Sequence, residues 1–258
     1  MTRLGEHYDF AIPVPPTFLR NIPGTSLLGS SVAMARAEYD VTAFSDAGAL
    51  ALGLPVPEGL FQAAQRRRAE YTAGRYCARA AMSRFRDATG QPFPVPGPSE
   101  DAPAWPMGLV GSISHARGQA TAVVAPSDKV LSLGVDIERI MTPELTRDIE
   151  VYVCPSERQN LPTSLRYRAL YVTAIFSAKE SLLKCLYPLV GQRFWFDAAT
   201  VMLLRDMSGK PREFRAYLTH DIPPFRKGWS ARGLIRCDNG FVLSAMALKQ
   251  ADLEKAND

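Results

Sequence analysis

The run Gly134-Val135-Asp136-Ile137-Glu138 can be accommodated in few ways. Read as a β-strand, it sends Asp136 and Glu138 to one face and Val135 and Ile137 to the other, because side chains alternate along a strand. The apolar pair then needs a core. The two carboxylates repel each other across one face and need either open water or a cation. A hard divalent ion such as Mg²⁺ suits them, since it prefers carboxylate oxygens together with phosphate oxygens. Two acids at this spacing also occur on solvated strand edges, so the reading depends on what flanks them.

The chain has 258 residues, 47% hydrophobic and 22% charged, which is an ordinary globular balance with ample length for a core. No run approaches a membrane span, and the N-terminus, with Glu6, Asp9, Pro13, Pro15 and Pro16, lacks the basic start and apolar middle of a signal peptide. Cys77, Cys154, Cys185 and Cys237 are scattered without a C-x-x-C pair. Reduced thiols in a cytoplasmic protein are expected. Isolated His7, His115 and His220 argue against zinc.

The net charge is only +4, but its distribution is uneven. Arg66, Arg67, Arg68, Arg75, Arg79, Arg84 and Arg86 stand against a single acid, Glu70. Such a cluster in a near-neutral chain points to a specific anionic ligand, and no aromatic interleaving of the kind found in RNA readers accompanies it. No nucleic acid and no membrane are expected as partners.

Taken in order, residues 1–58 read as an irregular arm with a strand or two and the apolar runs Ser31–Ala37 and Ala47–Leu54. A helix is expected after Pro55 and Pro57, with Leu60, Ala64, Tyr71, Ala78, Met82 and Phe85 as its seam and Arg68, Arg75 and Arg79 on another face. Gly74 within it costs about 1 kcal/mol relative to Ala and marks a close approach. After a Pro-rich loop, Gly111, Ser112, Ser114 and His115 are placed where a strand meets a turn, positioned to offer hydroxyls, amides and an imidazole to phosphate. A hydrogen-bonded structural histidine is the plainer reading of His115 taken alone.

Ala120–Ala125 reads as a buried strand, and Pro126–Lys129 as a turn between two halves, 1–127 and 128–258. Met141–Ser164 is polar and broken by prolines: a mobile segment or a short helix, and a binding surface. A long helix runs from about Leu165 to Tyr187, stopped by Pro188, and carries Glu180 and Lys184 on one face. That pair is either a surface ion pair or a third metal carboxylate beside a phosphate-binding lysine. Antiparallel strands follow, with Asn239-Gly240 as a hairpin turn, and a polar tail at Gln250–Asp258 that frays.

Together, Trp105-Pro-x-Gly108-x-x-Gly111-Ser-Ile-Ser-His115, Gly134-Val-Asp136-Ile-Glu138 and Phe176-Ser-Ala-Lys179-Glu180-Ser181-x-x-Lys184 resemble the 4′-phosphopantetheinyl transferases, the enterobactin synthase component D-like branch in particular. Arg67-Arg68-Ala-Glu70-Tyr71-x-x-Gly74-Arg75-x-Cys77-Ala78-Arg79 and Tyr187–Phe196 look like further motifs of that branch, so the likeness covers Gln65 to Leu248. It implies a pseudo-dimeric α/β (α+β) fold, each half a long helix packed on a mostly antiparallel sheet. It also implies a Mg²⁺-dependent, holo-[acyl-carrier-protein] synthase type reaction. Coenzyme A donates its phosphopantetheine arm to a serine of an apo acyl carrier protein or of a peptidyl or aryl carrier domain, in fatty-acid or siderophore (enterobactin) synthesis. Adenosine 3′,5′-bisphosphate is released.

Carried over by motif, Asp136, Glu138 and Glu180 hold the metal. Lys184, His115, Ser112 and Ser114 contact coenzyme A phosphates, and Arg67 and Arg75 lie on the nucleotide side, with Arg79 a weaker candidate. Glu180 and Lys184 are the catalytic pair, Glu180 being the candidate base. One departure stands out. Val95–Ala104 holds no basic residue where related sequences place a lysine, so either Arg117 or an N-terminal arginine substitutes or nucleotide affinity is lower. A two-half chain is expected to work as a monomer. A non-catalytic carrier-binding or coenzyme A-sensing protein on the same fold, and a Mg²⁺-dependent phosphohydrolase, are the competing readings.

Overall fold

The computed structural model describes residues 18–24, 26–98, 102–153 and 155–254. Its strands are β1 (Leu19–Ile22), β2 (Ala33–Tyr39), β3 (Leu109–Ala116), β4 (Gln119–Pro126), β5 (Ser132–Arg139), β6 (Ala199–Arg205), β7 (Pro211–Leu218), β8 (Ser230–Asp238) and β9 (Phe241–Leu248). Its helices are α1 (Asp46–Ala51), α2 (Gln65–Met82), α3 (Pro143–Val153), α4 (Leu165–Val190) and α5 (Gln250–Glu254). Two antiparallel sheets form, one ordered β1-β2-β4-β3 and the other β5-β9-β8-β7-β6. α2 packs on β2, β4 and β3, and α4 on β5 and β9, so each half pairs a long helix with a sheet as expected.

The two sheets meet along their edge strands β3 and β5. There the serines of β3 do the work of a neighbouring strand. The Val135 N–H donates to Ser112 Oγ at 3.1 Å and the Ile137 N–H to Ser114 Oγ at 3.3 Å, which satisfies amides that would otherwise be buried unpaired. Small residues also let α4 lie hard against its sheet. A Cβ on Gly134 would sit 1.8 Å from the Ser181 carbonyl oxygen. The Ser132 hydroxyl donates to the Cys185 carbonyl at 2.6 Å, and the Ser244 hydroxyl to that of Ser177 at 2.7 Å.

Several sequence expectations change in the fold. The apolar run Ala47–Leu54 enters α1, which Ser45 caps, its hydroxyl accepting from the Gly48 N–H at 3.1 Å. α2 starts only at Gln65, after a short 3₁₀ turn at Glu58–Leu60, so Leu60 and Phe85 lie outside it. Its buried seam includes Tyr76 together with Ala69, Ala73, Cys77 and Ala81, small residues that allow close packing and that a search for bulky apolar residues underweights. Gly74 indeed marks a close approach, to Ile113 of β3. α4 runs through Pro188 to Val190. Near a C-terminus a proline forfeits only one helical bond, and Gly191, at φ 67°, ends the helix with its N–H on the Tyr187 carbonyl. The tail folds into α5 over Gln250–Glu254 instead of fraying from Gln250, and the Asn239-Gly240 hairpin forms with both residues at positive φ. Cys77 and Cys185 are buried free thiols and Cys237 is half-buried; Cys154 and the N-terminal arm through Thr17 lie outside the described residues.

Met141–Ser164 contains the helix α3, pinned to α4 by a two-pronged ion pair. Arg168 Nε donates to Glu150 Oε2 at 2.7 Å and Nη2 to Oε1 at 2.9 Å. These bonds hold the Glu150 carboxyl below its ordinary value of 4.5. A carboxyl with a depressed folded-state pKa adds stability above its unfolded pKa and loses it as pH falls through the folded one. Glu150→Gln is therefore expected to cost about 2 kcal/mol near neutrality. The gap between variant and parent should shrink once pH drops under 4.5. Paired thermal melts across pH 3–8 check this, and a gap that stays constant with pH contradicts it.

Candidate functional site

Where β3 meets β5, three elements converge. Asp136 and Glu138 share a face of β5 as the alternation requires, but that face turns under α4, and Asp136 is only 2% exposed. One turn of α4 beyond the Gly134 contact, Lys184 Nζ donates to Asp136 Oδ1 at 2.6 Å and to Ser114 Oγ at 3.0 Å. The Ser114 hydroxyl donates to the same Asp136 oxygen at 2.9 Å. Asp136 Oδ2 is buried with no partner among the described residues.

The other two candidate metal carboxylates lie in the field of this pair. Burial, aided by the Asp136 charge, pushes Glu138 up to about 8. Burial also raises Glu180; the Lys184 charge opposes this, and Asp136 adds to it. Two buried carboxylates that resist ionising beside the Asp136 charge describe a place for a cation. As the side chains stand, no group of three His, Cys, Asp or Glu among the described residues is gathered closely enough to ligate one ion. The chemistry of the donor set and the orphaned Asp136 oxygen nevertheless fit a hard divalent ion.

His115 is the penultimate residue of β3, where the strand meets the turn at Arg117-Gly118, both at positive φ, while Gly111, Ser112 and Ser114 lie within the strand. His115 faces α2. Arg67 Nη1 donates to His115 Nε2 at 3.2 Å, so Nε2 carries the lone pair and Nδ1 the proton, 3.8 Å from Glu70 Oε2. Burial lowers the imidazole pKa, which keeps it neutral near pH 7. Glu70 also binds Arg66 Nε at 2.9 Å. The lone acid of the arginine stretch is thus the hub of an Arg66–Arg67–His115 group, a role its isolation in the sequence hinted at.

The remaining arginines of α2 take other work. Arg68 donates to the Ala63 carbonyl at 2.6 Å, and Arg79 donates to the Leu52 carbonyl. Arg75 is buried against the Tyr71 ring and donates to the Gly97 carbonyl at 3.1 Å. They clasp the loops around the helix, because a guanidinium can supply several donors to backbone carbonyls. Of the residues expected at the site, the fold brings together Asp136, Glu138, Glu180, Lys184, Ser114, His115 and Arg67. Ser112 serves the β5 backbone, and Arg75 serves the Pro-rich loop. Trp105 stacks over Gly111, where a Cβ would come within 2.5 Å of its ring, which accounts for that pair of motif residues.

Beside Glu180 opens a cavity of about 260 Å³ lined by Leu183, Arg193, Phe194, Trp195 and Phe196. Trp195, 84% exposed, forms its rim. Lys179, a motif residue with no role assigned from sequence, also lines the cavity and pairs at 2.9 Å with Glu157, which no motif contains. Among the described residues no helix is long and apolar enough to cross a membrane.

Residues 57–125 match the 4′-phosphopantetheinyl transferase N-terminal domain, and residues 132–231 the 4′-phosphopantetheinyl transferase superfamily domain. The chain is 30% identical over 204 residues to the 4′-phosphopantetheinyl transferase PptT of Mycobacterium tuberculosis, covering 75% of this chain and 86% of that one. It is 37% identical over 162 residues to the transferase Svp of Streptomyces mobaraensis, covering 61% and 64%. To enterobactin synthase component D of Salmonella austin it is 36% identical over 168 residues, covering 65% and 67%. With both halves matched in order and the fold of two helix-on-sheet units in place, this chain belongs to the 4′-phosphopantetheinyl transferase superfamily and is a phosphopantetheinyl transferase.

Proposed function

We propose that this enzyme moves the 4′-phosphopantetheine arm of coenzyme A onto a serine of an apo acyl, peptidyl or aryl carrier protein, with Mg²⁺, releasing adenosine 3′,5′-bisphosphate. The observation that carries the reading is the row of groups along the β3–β5 seam. Cationic Arg66 and Arg67 stand with His115, Lys184 stands among three acids, and a largely apolar cavity opens beside Glu180 between α4 and residues 193–199. A donor with a charged nucleotide, a pyrophosphate and a thin arm has a part for each.

Asp136, Glu138 and Glu180 would hold the Mg²⁺. When bound, the ion neutralises charge on the pyrophosphate and on the departing bisphosphate. Arg67 presents a planar fork to phosphate oxygens, and neutral His115 offers its Nδ1 proton. Lys184, released from Asp136 as the site fills, places an ammonium on the pyrophosphate. Ser114 holds Asp136 in place instead of touching the ligand. The serine oxygen of the carrier forms a bond to the phosphorus that bears the pantetheine arm, and the bond from that phosphorus to the bridging oxygen breaks. The serine proton passes to Glu180, directly or through a water. The arm rests in the aromatic cavity. All these residues come from one chain, which supports a monomer, and the buried free thiols of Cys77 and Cys185 are compatible with the cytoplasm.

The test is intact-protein mass spectrometry of purified apo carriers incubated with the enzyme, coenzyme A and Mg²⁺, with and without EDTA. A gain of one phosphopantetheine group, abolished by the chelator, is expected. No gain on any carrier from folded, coenzyme A-bound enzyme overturns the reading.

A further inference from the structure

Lys179 precedes Glu180 in α4 and is the more deeply buried of the two. It is 3% exposed; its ammonium donates to the Val153 carbonyl at 2.9 Å and to the Phe196 carbonyl at 2.8 Å, and forms an ion pair with Glu157 Oε1 at 2.9 Å. Those acceptors belong to three different segments: the end of α3, the stretch ahead of the Arg158–Asn160 turn, and the loop that enters β6. Glu157 Oε1 also accepts from the Val201 N–H at 2.8 Å, so the same oxygen fixes the start of β6. Glu157 Oε2 is buried without a partner, and Lys179 is the one cation paired with this carboxylate among the described residues.

A buried ion pair seldom improves on a well-packed apolar pair of the same size, so stability alone does not account for it. What it does fix is the position of the cavity wall. The Phe196 carbonyl sits on the ammonium, and the Phe196 ring packs on Phe176 of α4 with centroids 5.2 Å apart. Phe194, Trp195 and Phe196 form one side of the cavity, and Lys179 and Glu180 the other.

We propose that Lys179 and Glu157 are a positioning pair that holds the Phe194–Phe196 wall at the spacing required by the pantetheine arm, acting on the arm and not on the nucleotide. The inference rests on the transferase reading. It separates two halves of one donor: Arg67 and His115 meet the nucleotide end, and the Lys179–Glu157 pair governs only the arm.

The test compares coenzyme A with adenosine 3′,5′-bisphosphate, which lacks the arm, by calorimetric titration onto the full chain. Lys179→Met removes the ammonium but strands Glu157. The double variant Lys179→Met with Glu157→Gln avoids a lone buried charge and leaves an oxygen for the Val201 N–H. Glu157→Gln alone keeps an acceptor for both partners. Thermal melts select the folded variants. The double variant is expected to bind coenzyme A about tenfold more weakly, the equivalent of withdrawing two methylenes from apolar contact. The bisphosphate should bind within twofold of the parent, roughly the scatter of such a measurement. Glu157→Gln should weaken coenzyme A in the same direction by less. Equal weakening of both ligands would show a pair that merely holds the fold, and unchanged coenzyme A binding would show a wall that needs no anchor; either overturns the proposal. A parent protein that binds neither ligand overturns the transferase reading itself.

Discussion

Asp136→Asn is expected to lower transfer by about a hundredfold to a thousandfold while the chain still folds, the usual cost of removing one group that stabilises developing charge. Asparagine keeps the shape of the side chain and an oxygen for Lys184 and for the Ser114 hydroxyl, which now share Asp136 Oδ1. It removes the negative charge that a metal ion needs and leaves Lys184 without a full counter-charge, though Lys184 is partly exposed and can turn to solvent. A second readout separates loss of metal from loss of fold. The parent, with coenzyme A present, should melt at higher temperature on addition of Mg²⁺, because a ligand that binds only the native state stabilises it. The variant should melt normally without metal and show no such rise. Activity within threefold of the parent, or an undiminished Mg²⁺-dependent rise, would remove Asp136 from the metal site.

This experiment uses asparagine because burial was the part of the site hardest to read in advance. Alternation placed Asp136 and Glu138 on one face, and the fold agrees. Nothing in alternation says what covers that face. α4 covers it, and its approach depends on Gly134, Ser132 and Ser244, residues that look unremarkable in sequence because their contribution is the space they leave. The same reasoning explains α2. Ala78 and Met82 of the expected seam are buried, and Ala69, Ala73 and Ala81 join them, small residues that contribute by the space they leave.

The charged residues divide along similar lines. Glu180 and Lys184 sat four apart on one face of a helix, and both reach the seam. Lys179 and Glu157 are separated by a loop and a helix, and no local pattern joins them. Arg75 and Arg67 lay in one basic cluster, and only the fold distinguishes a guanidinium that clasps the Gly97 carbonyl from one that meets His115. Local periodicity reports faces. It does not report which long-range partner a flexible cation will find, since that depends on loop carbonyls whose positions are tertiary. For Met141–Ser164 the sequence leaves a mobile segment and a short helix both open, and the fold decides for the helix α3, held by Arg168 from another helix.

The largest expected effect on stability belongs to Gly134→Ala. The added Cβ would stand 1.8 Å from the Ser181 carbonyl oxygen and 2.9 Å from Cys185 Cβ. No rotamer relieves the first overlap, because both atoms are fixed by backbone. α4 must therefore move off β5 by more than an ångström, which opens the packing of a fully buried stretch that includes Ala178, Leu182 and Cys185. Overpacking of this kind costs about 3 kcal/mol. It would show as a lowered melting temperature. The displacement also has a chemical consequence, since Asp136 is on the strand that stays and Glu180 and Lys184 are on the helix that moves. A bond of 2.6 Å between Lys184 and Asp136 cannot survive such a shift unaltered. Displacing reacting groups by about 1 Å can cost a hundredfold in rate. Folded Gly134→Ala protein, assayed below its melting temperature, should thus transfer far more slowly than its folded fraction would predict. Parent-like stability would mean that α4 does not lie this close to β5. A rate that merely tracked the folded fraction would mean that the helix-to-strand spacing does not set the geometry of the site.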